Sequence, residues 1–231
     1  MNINEMLEEY LQQRKAQAFS DFRRLTNPNP LMENLLLALE SIDEELVQQN
    51  FFTELVENCQ NNWTNEEEGF NPEEKIQVLL FEYDYYFTKN PLALAYGLIG
   101  KDFKIKIKPY RYGYNYEFAS SLEANNGLTL TTFSPLAALG DEIPEAYASY
   151  DFFEDEGFTP LIDAYKFTTY LIAHRAVRAF VKTNAFKRLS RETILHVMIG
   201  EHDTWETQPI YFDCADPNWI TKAIELQGEG V

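Results

Sequence analysis

Between Phe103 and Tyr116 a two-residue repeat changes phase, which marks this stretch as sheet interrupted by a turn. In "FKIKIK" Phe103, Ile105 and Ile107 alternate with Lys104, Lys106 and Lys108, predicting a strand with one apolar and one wet face. The next alternation, Tyr110, Tyr112, Tyr114 and Tyr116, falls on even numbers. A strand cannot change phase without a turn or bulge, and Pro109 to Gly113 is read as supplying it. Residues 103–133 are therefore expected to form antiparallel sheet, with "GLTLTTF" after Asn125-Asn126 as the next strand. Helical periods flank this region on both sides. The expected fold class is α+β: N-terminal helices and a mixed or antiparallel sheet packed against one long helix.

The helical readings rest on capping chemistry and spacing. Residues 2–25 pair Asn2 with Glu5 in a capping-box spacing and close on Arg23 and Arg24, so acids lead and bases trail. "TNPNP" at 26–30 stops this helix. A second helix is predicted from Leu31 to about Gln49 on Leu35, Leu36, Leu39, Ile42 and Leu46, and a third from Phe52 to Asn62. Residues 76–87 read two ways. Ile76, Leu79, Leu80, Tyr83 and Phe87 have helical spacing, yet "QVLLFEYDYYF" is rich in strand formers. "LALAYGLIG" reads as a strand. Thr159-Pro160 opens the longest predicted helix, to about Leu189. A hairpin over 194–212 follows, with Gly200 ending one strand and Pro209 beginning the next, and a short helix from Asp216 to Leu226 closes the chain. Residues 1–70 are expected to be a helical extension of an α+β domain over 71–231, the whole forming one compact unit.

Charge bounds the function. The 231 residues carry a formal net charge of −18, which disfavours nucleic acid and anionic membrane as direct partners and favours a basic protein. The charge is also segregated. Residues 31–100 hold 14 acids against Lys75 and Lys89, and residues 141–156 hold seven acids and no base. Residues 160–191 instead hold seven bases against Asp163. Either the basic helix lies against acidic neighbours and the charges cancel internally, or acid remains on a contiguous face and docks a cationic protein. "MNINEMLEEY" lacks the basic and apolar regions of a signal peptide, and no stretch approaches 18 apolar residues. Cys59 and Cys214 form no CxxC and read as reduced core thiols, so cytoplasm is the expected compartment. No cofactor is expected, and the oligomeric state is left open.

Three stretches compete as functional sites. "ILHVMIGEHDTWETQPIYF" places Glu201, His202 and Asp203 in the predicted hairpin loop. A metal needs three or four convergent ligands, but adjacent side chains of extended chain diverge, and no zinc spacing occurs. A polar turn is the expected reading; the alternative is a hydrolase using His202 with Glu201 or Asp203 as general acid and base. His174, among Phe167, Tyr170, Val177 and Val181, is expected to be a packed, hydrogen-bonded core histidine. The tyrosine row at 110–116 could stack bases, but the overall charge favours packing under a helix. In "AYASYDFFEDEGF", carboxylates are interleaved with aromatic rings. Tyr150, Asp151, Phe152, Phe153, Glu154, Asp155 and Glu156 are therefore the candidate partner-binding segment: the rings supply buried area and the acids steer approach.

The run "AVRAFVKTNAFKRLSRETILHVMIGEHD" resembles the close of a family of uncharacterised bacterial α+β proteins found beside polymorphic toxins and associated with immunity. There a long helix leads through a Phe-containing turn and an Arg-Glu pair into a strand ending in acidic residues. The likeness spans about 30 residues. It implies an intracellular binding protein, carries over no catalytic residue, and leaves an immunity or inhibitor protein as the first functional expectation. A structural subunit is the third possibility beside the hydrolase.

Overall fold

The computed structural model describes residues 3–64, 75–83, 93–98, 104–108, 111–115, 154–201 and 207–214. The expected strand after Asn126, the closing helix at 216–226 and most of the 140–159 connection lie outside these residues.

The first helix, α1, spans Ile3–Arg23 and buries Leu7, Leu11, Ala18 and Phe22, a stripe at intervals of four and seven. The predicted second helix is in fact split. α2 covers Pro30–Glu40, with the Asn29 side chain accepting from the Leu31 N–H, and α3 covers Glu44–Asn58, capped by the Asp43 carboxylate on the Leu46 N–H. α2 ends at its C-cap Ser41 and Asp43 caps the start of α3, so the break falls at 41–43 and not near Gln49 as expected. The phase changes across it. Leu46, expected on the apolar stripe, is 56 % exposed, while Val47, Phe51 and Leu55 carry the buried face of α3. A π-helical turn, Cys59–Trp63, extends α3 and buries both its ends.

The ambiguous segment resolves as strand β1 (Ile76–Tyr83), joined by β2 (Ala93–Leu98), β5 (Arg191–Glu201) and β6 (Thr207–Cys214) in one sheet ordered β2-β1-β5-β6. Its pairings are antiparallel, parallel and antiparallel in turn, so the sheet is mixed. Two further strands, β3 (Lys104–Lys108) and β4 (Arg111–Asn115), form a separate antiparallel hairpin. Lys108 pairs with Arg111 and Ile107 with Tyr112, so the phase change occurs between 108 and 111. Gly113, predicted to lie in the turn, sits inside β4 opposite Lys106. An antiparallel pair joined by so short a connection matches odd positions with even ones, and no bulge is needed.

The long helix, α4 (Phe158–Phe180), is shorter than expected. Val181 and Lys182 leave the helix, and the Thr183 hydroxyl caps a separate single turn, α5 (Asn184–Lys187), through the Phe186 N–H. α4 is buried almost all round because α1, α3 and the sheet surround it. One core joins Leu11 and Phe22 of α1, Leu35 of α2, Phe51 of α3, Leu79 and Phe81 of β1, Ile172 of α4 and Val197 of β5. Phe51 meets Phe81 edge-on at 5.3 Å, seating α3 on the sheet. Residues 3–64 thus share the core of the sheet and α4. The chain is an α+β protein. Among the described residues no helix is long and apolar enough to cross a membrane.

Candidate functional site

Strand β6 forms an edge of the sheet, and an open edge presents unpaired N–H and C=O groups. Helix side chains occupy two such positions here. The Asn4 amide of α1 accepts from the Phe212 N–H at 2.9 Å and donates to the Phe212 carbonyl at 2.8 Å, as a neighbouring strand would. A register shift falls between Val197, paired with Tyr211, and Met198, paired with Pro209. Ile210 is the extra residue of this bulge, and its carbonyl accepts from His174 Nδ1. Pro209, expected to begin the strand, lies inside it at an edge, where its missing N–H costs no ladder bond.

His174 is fully buried, and its Nδ1 proton is committed to Ile210. Its Nε2 faces the Glu8 carboxylate at 3.7 Å. Burial pulls the His174 pKa below its ordinary value; the Ile210 carbonyl and Glu8 oppose this but do not outweigh it. Burial alone would raise the Glu8 pKa, yet the Arg175 hydrogen bond and the neighbouring positive charges bring it below the usual carboxylate range. The Arg175 hydrogen bond leads that depression, followed by the charges of His174, Arg175 and Arg178. Glu8 binds Arg175 at 3.0 Å and Arg178 at 2.7 Å, clamping α1 to α4. This half-buried cluster is a fastening: its buried histidine holds the backbone and its carboxylate is bound by two partly exposed arginines. The packed reading of His174 matches this arrangement.

Burial pushes the Cys59 thiol up to about 12, and Cys59 donates to the Ala185 carbonyl at 3.3 Å. It is a core thiol without nucleophilic character at neutral pH. Burial alone brings the His196 pKa down to about 3. Its ring packs edge-on against Phe212 at 5.3 Å. Phe212 turns its backbone groups outward to Asn4, which leaves His196–Phe212 as a close, non-hydrogen-bonded pair.

The expected hydrolase cluster is only partly placed. Glu201, read as a loop residue, is the last residue of β5 and pairs with Tyr83 of β1, because β5 continues one residue past Gly200. His202 and Asp203 lie outside the described residues. Among the described residues no group of three or more His, Cys, Asp or Glu could hold a metal ion.

Of the expected partner-binding segment, Tyr150, Asp151, Phe152 and Phe153 lie outside the described residues, while Glu154, Asp155 and Glu156 form the turn ahead of α4. The Asp155 carboxylate accepts from the Gly157 N–H at 2.8 Å, so this acid organises the turn. Glu154 and Glu156 are exposed, and no described Lys or Arg lies within ion-pair distance of either. All three also stand near the positive end of the α4 dipole, which favours acids there whatever else they do. A Cβ on Gly157 would come within 2.9 Å of Met32 Sδ and 3.2 Å of Phe22 Cε2, so the turn presses against α1 and α2.

That contact brings together two acidic segments far apart in sequence. Residues 31–64 contain seven carboxylates and no cation. Two of them meet α1, Glu40 through Arg23 and Glu44 through Lys15, while Glu33, Glu45 and Glu57 are exposed. Between α1 and α2 lies a groove of about 310 Å³, and Phe22, which faces Gly157, forms part of its floor. Sequence reasoning finds both acidic runs but not their meeting point or the groove. The one advance signal is the triple leucine 35–37, since a helix with a single buried face leaves one of three consecutive leucines outside. No family model, curated protein or solved structure matches the chain.

Proposed function

We propose that the chain is a non-catalytic binding protein of the immunity or inhibitor class that holds a basic protein partner. One observation carries this reading: five cations of α1 and α4 are paired internally, whereas carboxylates on α2, α3 and the 154–156 turn remain outside. Arg175 and Arg178 are taken by Glu8, Arg14 by Asp163, and Arg23 and Lys15 by Glu40 and Glu44. Glu33, Glu45, Glu57, Glu154 and Glu156 are left exposed. Such a surplus steers a cationic partner toward the surface and sets its approach rate. The expected likeness of residues 176–203 to immunity-associated proteins, and a bacterial cytoplasmic setting, are part of the same proposal. The partner's cationic site would be occluded by the acidic turn and the aromatic residues that precede it.

Affinity capture from the native cell at low salt tests the proposal. The expected result is one dominant basic protein, released by raised salt and no longer retained by the Glu154→Lys, Glu156→Lys double variant. A retained partner that is acidic, or is insensitive to both salt and the double variant, refutes it.

A further inference from the structure

We propose that the groove between α1 and α2 receives an amphipathic basic segment of the protein partner, which inserts an aliphatic side chain beside Leu37 and sets cations against Glu33 and Glu40. This rests on the reading of an anionic binding protein and gives it a location. The floor is apolar: Phe22 at the end of α1, Leu25 and Pro28 in the connector, and Leu36 of α2. Leu37 stands at the mouth, 56 % exposed. Buried Met32, Leu35, Leu36 and Leu39 fix the rotation of α2, so Leu37 cannot turn inward without expelling one of them.

Charge complementarity selects the occupant. Glu33, Leu37 and Glu40 lie at i, i+4 and i+7, one stripe along α2, so carboxylates bracket the exposed leucine. Arg23 itself lines the groove and is held by Glu40, but its side chain is 62 % exposed. So exposed a pair contributes little, and an incoming cation can exchange with it. Glu33 has no described cation within ion-pair distance. The 154–157 turn, which packs against Phe22 through Gly157, carries the exposed Glu154 and Glu156. A segment that repeats an aliphatic residue flanked by lysines or arginines at helical spacing fits this arrangement. An acidic or purely apolar segment does not, because it would meet like charge or leave the carboxylates desolvated.

The test uses the full chain and two peptides of equal charge, one alternating leucine and lysine at helical spacing and one of lysine alone. Binding is read at low salt by fluorescence anisotropy, and leucine methyl shifts are followed by NMR. Leu37→Asp is the disrupting variant and Leu37→Met the conservative one; Leu37 is exposed, so both should fold, which circular dichroism checks. The leucine–lysine peptide should bind more tightly than lysine alone and shift the methyls of Leu25, Leu36 and Leu37. Leu37→Asp should weaken it about tenfold, and Leu37→Met should retain it. Equal binding of both peptides, with unmoved groove methyls and no effect of Leu37→Asp, overturns the groove and leaves the anionic reading standing. Failure of both peptides to bind at low salt overturns both.

Discussion

Acidification should destabilise the protein through His196, and the size of the effect follows from its burial. His196 is 7 % exposed on central strand β5, with a pKa held down to about 3 against an ordinary 6.5. A depressed folded-state pKa means that the unfolded chain takes up the proton first. The contribution is therefore complete above about pH 6.5 and is lost as pH falls toward 3. With those two values the folded state loses about 2 kcal/mol by pH 5 and about 3 kcal/mol by pH 4. Carboxylates also titrate in this range, so the comparison is between the native chain and His196→Leu, which keeps the bulk and removes the proton. Urea denaturation at pH 7, 5 and 4 measures both. The stability difference should move in favour of the variant by about 3 kcal/mol between pH 7 and pH 4. A difference that stays within about 1 kcal/mol across the range would refute the claim that His196 is buried and neutral.

Three further outcomes follow from the fastenings. Asn4→Ala removes both partners of the Phe212 backbone and should cost roughly 2 kcal/mol, with faster amide exchange at Phe212 as the specific readout. Glu8→Gln leaves Arg175 and Arg178 without a counter-charge and should cost about 1 kcal/mol, since both arginines are partly exposed. The Glu8 pKa is lowered in the fold, so this loss should be full above the ordinary carboxylate pKa and shrink as pH falls through the lowered value. Cys59 should resist thiol reagents at pH 8 in the folded chain and react on unfolding, followed by the release of a coloured thiolate.

The sequence revealed those elements whose two faces differ. α1 and the β3–β4 alternation were legible for that reason; the 194–212 hairpin was read from its punctuation at Gly200 and Pro209, since Leu195 to Ile199 are buried on both faces. β1 was not, because Val78, Leu79, Leu80 and Phe81 are all buried and both faces of the strand are apolar. A continuous apolar run carries no period, and helix and strand then look alike. The break at Asp43 escaped because apolar residues recur at helical spacing across it, and only the cap shows that Val47 replaces Leu46 on the buried side. The end of α4 at Phe180 was hidden in the same way; Thr183 caps a new turn inside an otherwise helical pattern. At the candidate site the acidic surplus could be read directly from residues 31–64 and 154–156. Their meeting across Phe22 and Met32 could not, since it depends on Gly157 packing against helices more than a hundred residues away.

The central claim, that an uncompensated acidic surface captures a cationic protein, is tested most directly by the salt dependence of association. Stopped-flow mixing of the chain with its captured basic partner would measure the rate from about 0.01 M to 0.3 M salt, over which screening shortens from roughly 30 Å to below 10 Å. The account predicts a steep fall for the native chain and a slower, flatter profile for the Glu154→Lys, Glu156→Lys variant. A rate indifferent to salt, or the same for both proteins, would contradict it.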